Sequence, residues 1–132
     1  MKKFILFGLS LGLAACVNSS YDSVDNTMVF FDFDSARITE NADAKLKDVA
    51  AYMKLNPDQN IIIEGHCDER GSTEYNLALG ALRAGNAKHV IVKERIEPER
   101  ISTISYGKER PQFPGTGEEV WRLNRNATIV VE

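Results

Sequence analysis

The chain is poor in cysteine, in long apolar runs and in excess basic charge. Its 132 residues include only two cysteines, so a framework of several disulfides is excluded and the hydrophobic core must hold the fold. No stretch reaches the roughly 20 consecutive apolar residues that a membrane-spanning helix needs. The formal net charge of −3 provides no basic surface for binding nucleic acid.

The rest of the composition is typical of a folded protein. Hydrophobic residues make up 43% of the chain and charged residues 27%, which indicates a globular body rather than a disordered one. A chain of this length is enough for one domain.

The first residues read as an export signal. "MKKFILFGLSLGLAAC" has two lysines followed by a short apolar run, which predicts a signal peptide over residues 1–15. Its end, Leu13-Ala14-Ala15-Cys16, resembles a bacterial lipobox, in which cleavage precedes the cysteine and the cysteine is then acylated. An ordinary signal peptide with a nearby cysteine is the alternative. If Cys16 carries lipid, Cys67 has no intramolecular disulfide partner.

Polar residues separate this signal from the body. We predict a lipidated cysteine and flexible tether over residues 16–27, where "VNSSYDSVDNT" is rich in Ser, Asn and Asp, and a folded domain over residues 28–132. An acylated Cys16 would hold that domain at a membrane.

Strand and helix patterns alternate through the domain. The predicted elements are a strand over residues 28–34, a helix over 42–53, a buried strand over 60–66, a helix over 74–94, a strand over 100–107, a short helical turn over 118–124 and a strand over 126–132. This β-α-β-α-β-(short α)-β order predicts an α/β (α+β) two-layer sandwich. Three consecutive isoleucines suggest that the second strand is buried on both faces. In the second long helix, Leu79, Leu82 and Val90 form the expected core stripe.

The segment "EGHCDERGSTEYNLALGALRA", residues 64–84, concentrates reactive and charged side chains. His66 and Cys67 are adjacent at a strand end and point to opposite faces, which disfavours a nucleophilic dyad. The spacing also fits no recognised zinc motif, so no metal or cofactor is predicted. Asp32 and Asp34 leave open a hydrolase with paired carboxylates.

A recognition site is a further possibility. Asp68 follows a strand, and Arg83 lies about three turns into the next helix. A carboxylate and a guanidinium held apart on rigid elements suit a zwitterionic ligand. Spacing alone favours the plainer alternative of a surface ion pair worth less than about 1 kcal/mol.

Several motifs together resemble the OmpA-like peptidoglycan-binding domain family. They are "VFFDFDS", the G-H-x-D-x-x-G-x-x-x-Y-N run over residues 65–76, "ISYGKERP" and "WRLNRNATIVV". The resemblance implies a ligand in the peptide stem of peptidoglycan, gripped through diaminopimelate. Asp68 would then receive the ammonium and Arg83 the carboxylate, with Asp34, Phe33 and Asn76 lining the pocket.

The same resemblance implies a location and partners. It suggests an outer-membrane lipoprotein that faces the periplasm, binds TolB and other Tol proteins, and serves envelope constriction at division. A wall-binding lipoprotein outside that system is the alternative within the same fold. Neither implies catalysis.

Overall fold

A computed structural model describes residues 23–132, so the predicted signal peptide and Cys16 lie outside the described part of the chain. The elements are β1 (Met28–Phe30), α1 (Glu40–Leu55), β2 (Ile61–His66), α2 (Thr73–Lys93), β3 (Ile101–Gly107), α3 (Glu118–Asn124) and β4 (Asn126–Val131). Their order confirms the predicted one. Within the described residues, no helix has both the length and the apolarity needed to cross a membrane.

One four-stranded sheet carries the fold, with the strand order β1-β4-β2-β3. β4 pairs antiparallel with both β1 and β2, and β2 pairs parallel with β3. Inward side chains of the sheet share one hydrophobic core with α1 and α2, including Ile63 and Ile129 from the strands and Leu46 and Ile91 from the helices. The predicted two-layer sandwich is confirmed. Ile62 and Glu64 are only half-buried, so the expectation that β2 is buried on both faces is wrong over this part of the strand.

β1 is shorter than predicted and ends at Phe30 rather than residue 34. The chain then leaves the sheet: the Ser35 amide donates to the Asp32 carbonyl at 3.3 Å, and Asp34 adopts a left-handed backbone with φ +52°. Aspartate tolerates this conformation better than most residues. Asp32 and Asp34 therefore lie in a turn and do not share a strand face.

Residues 23–27, assigned from sequence to the tether, lie against β4. The Asn26 amide donates to the Ile129 carbonyl at 2.8 Å, and the Ile129 amide donates to the Thr27 carbonyl at the same distance. Val24 is buried. Contacts with the folded body thus begin before Met28.

The buried stripe of α2 differs from the predicted one. Leu82 is 59% exposed. The buried positions are instead Asn76, Gly80, Arg83, Ala84, Ala87 and Ile91. These residues recur at three- and four-residue steps, as a core stripe should. Val90 of the predicted stripe is partly buried against the core. The prediction missed most of the buried positions because it followed the largest apolar side chains, whereas α2, apart from Ile91, buries small and polar ones.

Close approach of two backbones explains that choice. A Cβ at Gly65 of β2 would lie 1.8 Å from the carbonyl oxygen of Gly80 on α2. A Cβ at Gly80 would lie 2.3 Å from the Ser105 hydroxyl of β3. Only glycine at both positions allows the helix to sit this near to the sheet.

We expect Gly65→Ala to lower the free energy of unfolding by about 3 kcal/mol or more, because the added methyl meets backbone atoms that no side-chain rotation can move. Chemical denaturation followed by circular dichroism measures this loss. Gly85→Ala is the matched control, because Gly85 also lies on α2 but no atom is within 4 Å of the new Cβ. Its free energy of unfolding should rise by about 0.5–1 kcal/mol. Equal stabilities of the two variants would contradict the packing argument.

Candidate functional site

A pocket of about 370 Å³ lies where the loops after β1 and β2 meet the first turns of α2. All five residues predicted to bind ligand line it: Phe33, Asp34, Asp68, Asn76 and Arg83. Cys67, Arg70, Gly71, Tyr75, Leu79 and Arg125 complete the wall. The fold thus brings together side chains that are up to 92 positions apart between Phe33 and Arg125. Their roles in binding a ligand stay predictions.

Arg83 is the most deeply buried cation of the pocket, with 1% of its surface exposed. Its guanidinium donates to three backbone carbonyls: Nε to Ser35 at 2.9 Å, Nη1 to His66 at 3.0 Å and Nη2 to Asp32 at 3.1 Å. Burial lowers the pKa of Arg83 from its ordinary value. The guanidinium is nevertheless a cation at neutral pH, because arginine does not lose its proton in proteins. Because a guanidinium has more N–H groups than these carbonyls use, Arg83 retains donors for the pocket it lines.

Asp68 is the buried acid of the pocket, at 4% exposure. Arg70 approaches it with Nε 3.1 Å from Oδ1 and Nη2 2.8 Å from Oδ2, and Arg125 Nη1 lies 3.4 Å from Oδ2. Burial by itself raises the pKa of the Asp68 carboxyl, but the hydrogen bonds from Arg70 outweigh it, with a smaller contribution from Arg125. The net pKa of Asp68 is lowered, so the group is a carboxylate at neutral pH.

Arg125 follows α3 and connects three parts of the site. Its Nε donates to the Phe31 carbonyl at 3.0 Å, and its Nη2 donates to Glu118 at 2.7 Å. The hydrogen bond to Glu118 raises the pKa of Arg125 and lowers that of Glu118. Two arginines thus surround Asp68, and the carboxylate of Glu118 offsets part of their charge.

The loop after β1 forms the outer wall of the pocket. The left-handed backbone of Asp34 directs its carboxylate to α2, where it accepts a hydrogen bond from the Tyr75 hydroxyl. Phe33 is 61% exposed, and its ring lies 4.0 Å from the guanidinium carbon of Arg70. An aromatic ring this exposed is available to cover a bound ligand.

Asn76 fixes the loop that carries Asp68. Its side-chain amide donates to the Arg70 carbonyl at 2.7 Å and to the Ser72 carbonyl at 3.0 Å. Ser72 is also the N-cap of α2, since its hydroxyl accepts from the Tyr75 amide at 3.1 Å. The structure therefore gives Asn76, a predicted ligand-binding residue, a supporting contact as well as a place in the pocket wall.

His66 and Cys67 have separate surroundings. The Cys67 thiol donates to the Asn76 carbonyl at 3.3 Å, and burial raises the pKa of this thiol. The His66 ring lies against Tyr106 with centroids 5.5 Å apart, and burial lowers its pKa. A nucleophilic cysteine needs a lowered pKa and a base within hydrogen-bonding reach. The pKa of Cys67 is raised instead, and its thiol bonds the Asn76 carbonyl rather than His66.

The carboxylates considered for hydrolysis are also separated in their contacts. The Asp32 side chain is 73% exposed and pairs with Arg37 at 3.9 Å, whereas Asp34 bonds Tyr75. Across residues 23–132, no three His, Cys, Asp or Glu side chains cluster in a way that could hold a metal ion.

Sequence reasoning missed the part played by Arg70. This residue belongs to the charged run after β2, but nothing in the run distinguishes it from a solvated arginine. The available signal was its position two residues after Asp68, which lets one loop supply both partners of an ion pair. Such a pair becomes visible only when the loop conformation is known.

The pocket offers a ligand two charged groups of opposite sign on rigid supports. The Asp68 carboxylate and the Arg83 guanidinium are groups of the kind that pair with an ammonium and with a carboxylate, respectively.

Comparisons with known proteins agree with this description. The model of the OmpA family matches residues 30–125. A peptidoglycan-associated lipoprotein of Rhizobium meliloti (strain 1021) is 42% identical over 127 residues, which cover 94% of this chain and 72% of the relative. One from Haemophilus influenzae is 31% identical, with 98% of this chain and 96% of the relative covered.

A solved structure gives the same result for the fold. The crystal structure of the peptidoglycan-associated lipoprotein from Burkholderia pseudomallei superposes with a TM-score of 0.79 at 35% identity, covering 86% of this chain and 98% of that chain. The family model and these relatives extend over nearly all of the described residues. The chain belongs to the OmpA family, with peptidoglycan-associated lipoproteins among its similar relatives.

Proposed function

We propose that this protein is an outer-membrane lipoprotein that binds peptidoglycan non-covalently and ties the membrane to the cell wall. The observation that carries the proposal is the pocket containing a carboxylate, Asp68, and a fixed guanidinium, Arg83. The relatives' name, peptidoglycan-associated lipoprotein, supports the same reading.

The chemical class of ligand follows from the two charges. Diaminopimelate in a stem peptide ends in an ammonium and a carboxylate on one carbon. In the proposed complex the ammonium lies against Asp68 and the carboxylate takes the free N–H groups of Arg83. Asp34, Phe33 and Asn76 form the surrounding wall.

The location depends on the first residues of the chain. We propose that cleavage before Cys16 and acylation of that cysteine anchor the body to the outer membrane, facing the periplasm. Residues 23–27 contact the body, and six residues, 17–22, separate them from Cys16 in the sequence. Such a short connection keeps the pocket close to the membrane surface.

We further propose partners in the Tol system, with TolB the first to test, and a role in envelope constriction at division. A wall-binding lipoprotein outside that system would bind the stem peptide but not TolB. A hydrolase using Asp32 and Asp34 is the less favoured alternative, since those side chains contact Arg37 and Tyr75 respectively. Release of soluble fragments from purified wall would support it.

We expect the protein to bind a diaminopimelate-containing stem peptide saturably, and Asp68→Asn to weaken that binding at least about tenfold. The variant keeps the shape of the side chain but removes the charge that pairs with the ammonium, a contact worth about 1.5 kcal/mol or more. Calorimetric titration of residues 17–132 measures both affinities. Arg83→Ala is less suitable, because it leaves three carbonyls without their donor and is expected to destabilise the fold.

The matched control is Asp48→Asn, which removes a carboxylate from the exposed face of α1. Its affinity should stay within about twofold of the parent, as for a distant surface change. An equal loss in both variants would reduce the result to a net-charge effect. Failure of the folded parent to bind would refute the proposal.

Binding should be constant between about pH 7.5 and pH 5 and weaken only below about pH 4. Asp68 has a lowered pKa, so its carboxylate stays ionised until the pH falls below the usual range for aspartate. The same group stabilises the folded state above its unfolded pKa and loses that effect as the pH falls through the folded one. Titrations at stepwise pH test this. A midpoint near pH 6 would point to a group other than Asp68.

A further inference from the structure

The carboxylate assigned to the ligand's ammonium is already bound by a cation of the same loop. Arg70 Nε donates to Asp68 Oδ1 at 3.1 Å and Nη2 donates to Oδ2 at 2.8 Å. This two-point arrangement is the strongest geometry available to an arginine and a carboxylate. An ammonium can bind both carboxylate oxygens of Asp68 only if the Arg70 guanidinium moves away from them.

Arg70 and Arg83, two of the three arginines that line the pocket, differ in how firmly they are held. Arg83 is 1% exposed and bound by three backbone carbonyls. The Arg70 side chain is 32% exposed, and within residues 23–132 its side-chain hydrogen bonds go to Asp68 alone. Water screens a pair exposed to this extent. Arg83 is therefore a fixed element of the site, whereas Arg70 can be displaced.

Two aromatic rings provide a second support for Arg70. The carbon of its guanidinium lies 4.0 Å from the centre of the Phe33 ring and 4.1 Å from that of Trp121. Trp121 is itself held by a hydrogen bond from Nε1 to Glu69 at 3.0 Å. Stacking between rings stabilises a cation without consuming its N–H groups. Arg70 can thus release Asp68 and remain at the rim of the pocket.

We propose that Arg70 is an internal competitor for Asp68 and that this competition makes the pocket select zwitterionic ligands over ligands with an ammonium alone. The inference rests on the proposed function. A lone ammonium gains Asp68 but leaves Arg70 with only its longer contact to the exposed Glu118 carboxylate, 3.9 Å from Nη2. A ligand that carries a carboxylate beside its ammonium can pair one carboxylate oxygen with Arg83 and the other with the displaced guanidinium of Arg70, which restores the lost ion pair.

Two stem peptides that differ in one group test this selection. One contains diaminopimelate, and the other contains lysine, which has the ammonium but lacks the adjacent carboxylate. For Arg70→Gln we expect the affinity for the lysine peptide to rise about fivefold, the size of one exposed ion pair. The affinity for the diaminopimelate peptide should change by less than about threefold, because the variant removes both a competitor and a partner. Calorimetry of residues 17–132 measures all four affinities.

Arg110→Gln is the matched control. Arg110 also stacks on an aromatic ring, with its guanidinium 4.3 Å from the centre of Tyr106, and it lies outside the pocket wall. The variant removes the same charge as Arg70→Gln, so its affinities for the diaminopimelate and lysine peptides should both equal those of the parent within about twofold. A rise for the lysine peptide in this control as well would assign the effect to net charge and overturn the proposal.

The lysine peptide is the decisive arm. An unchanged or lower affinity in Arg70→Gln overturns the competition, and a loss confined to the diaminopimelate peptide makes Arg70 a direct ligand contact only. In both cases binding of diaminopimelate by the parent leaves the proposed function intact. If neither peptide binds the parent, and the lysine peptide does not bind Arg70→Gln, the proposed function and this inference fail together.

Discussion

Burial of the Arg83 guanidinium under three carbonyls is the interaction on which the rest of the site depends. Those carbonyls belong to Ser35 and Asp32 in the loop after β1 and to His66 at the end of β2. One side chain of α2 thus fixes the two loops that form the pocket. A buried charge is costly unless it is hydrogen-bonded throughout, and removing its partners typically costs about 3–5 kcal/mol. The cation and the loops around it therefore stabilise each other.

This arrangement is possible only because α2 lies very close to the sheet. The Gly65–Gly80 contact brings the helix near enough for Arg83 to reach the end of β2. A larger residue at either glycine would move the helix outward and lengthen every contact of the guanidinium. Packing in the core and geometry in the pocket are thus consequences of the same close approach.

Charge in the pocket is distributed so that Arg83 is fixed and Arg70 is more exposed and held by fewer contacts. Arg83 spends its hydrogen bonds on the backbone, whereas Arg70 and Arg125 share Asp68 and the carboxylate of Glu118. In the proposed complex, a charged ligand rearranges ion pairs that these side chains make with one another. A site of this kind discriminates by the balance of pairs lost and gained more than by the number of contacts.

Much of the protein is determined by the sequence alone. Alternation of strand and helix patterns predicts the order of elements, and the resemblance to the OmpA-like family singles out Asp68 and Arg83, where spacing alone favoured a surface ion pair. Predictions from local sequence patterns failed where a backbone conformation sets the end of a strand or where a neighbouring element sets which face of a helix is buried. β1 ends early because Asp34 turns into a left-handed conformation, and Leu82 is exposed because glycine contacts set the orientation of α2.

The pairing of Arg70 with Asp68 belongs to the same class of facts that sequence does not contain. A sequence specifies which side chains are charged, but partners, burial and the choice between a fixed and a displaceable arginine depend on distances of a few ångströms between distant segments. Those distances are set by tertiary packing, because only the folded chain brings the loops after β1 and β2 against α2.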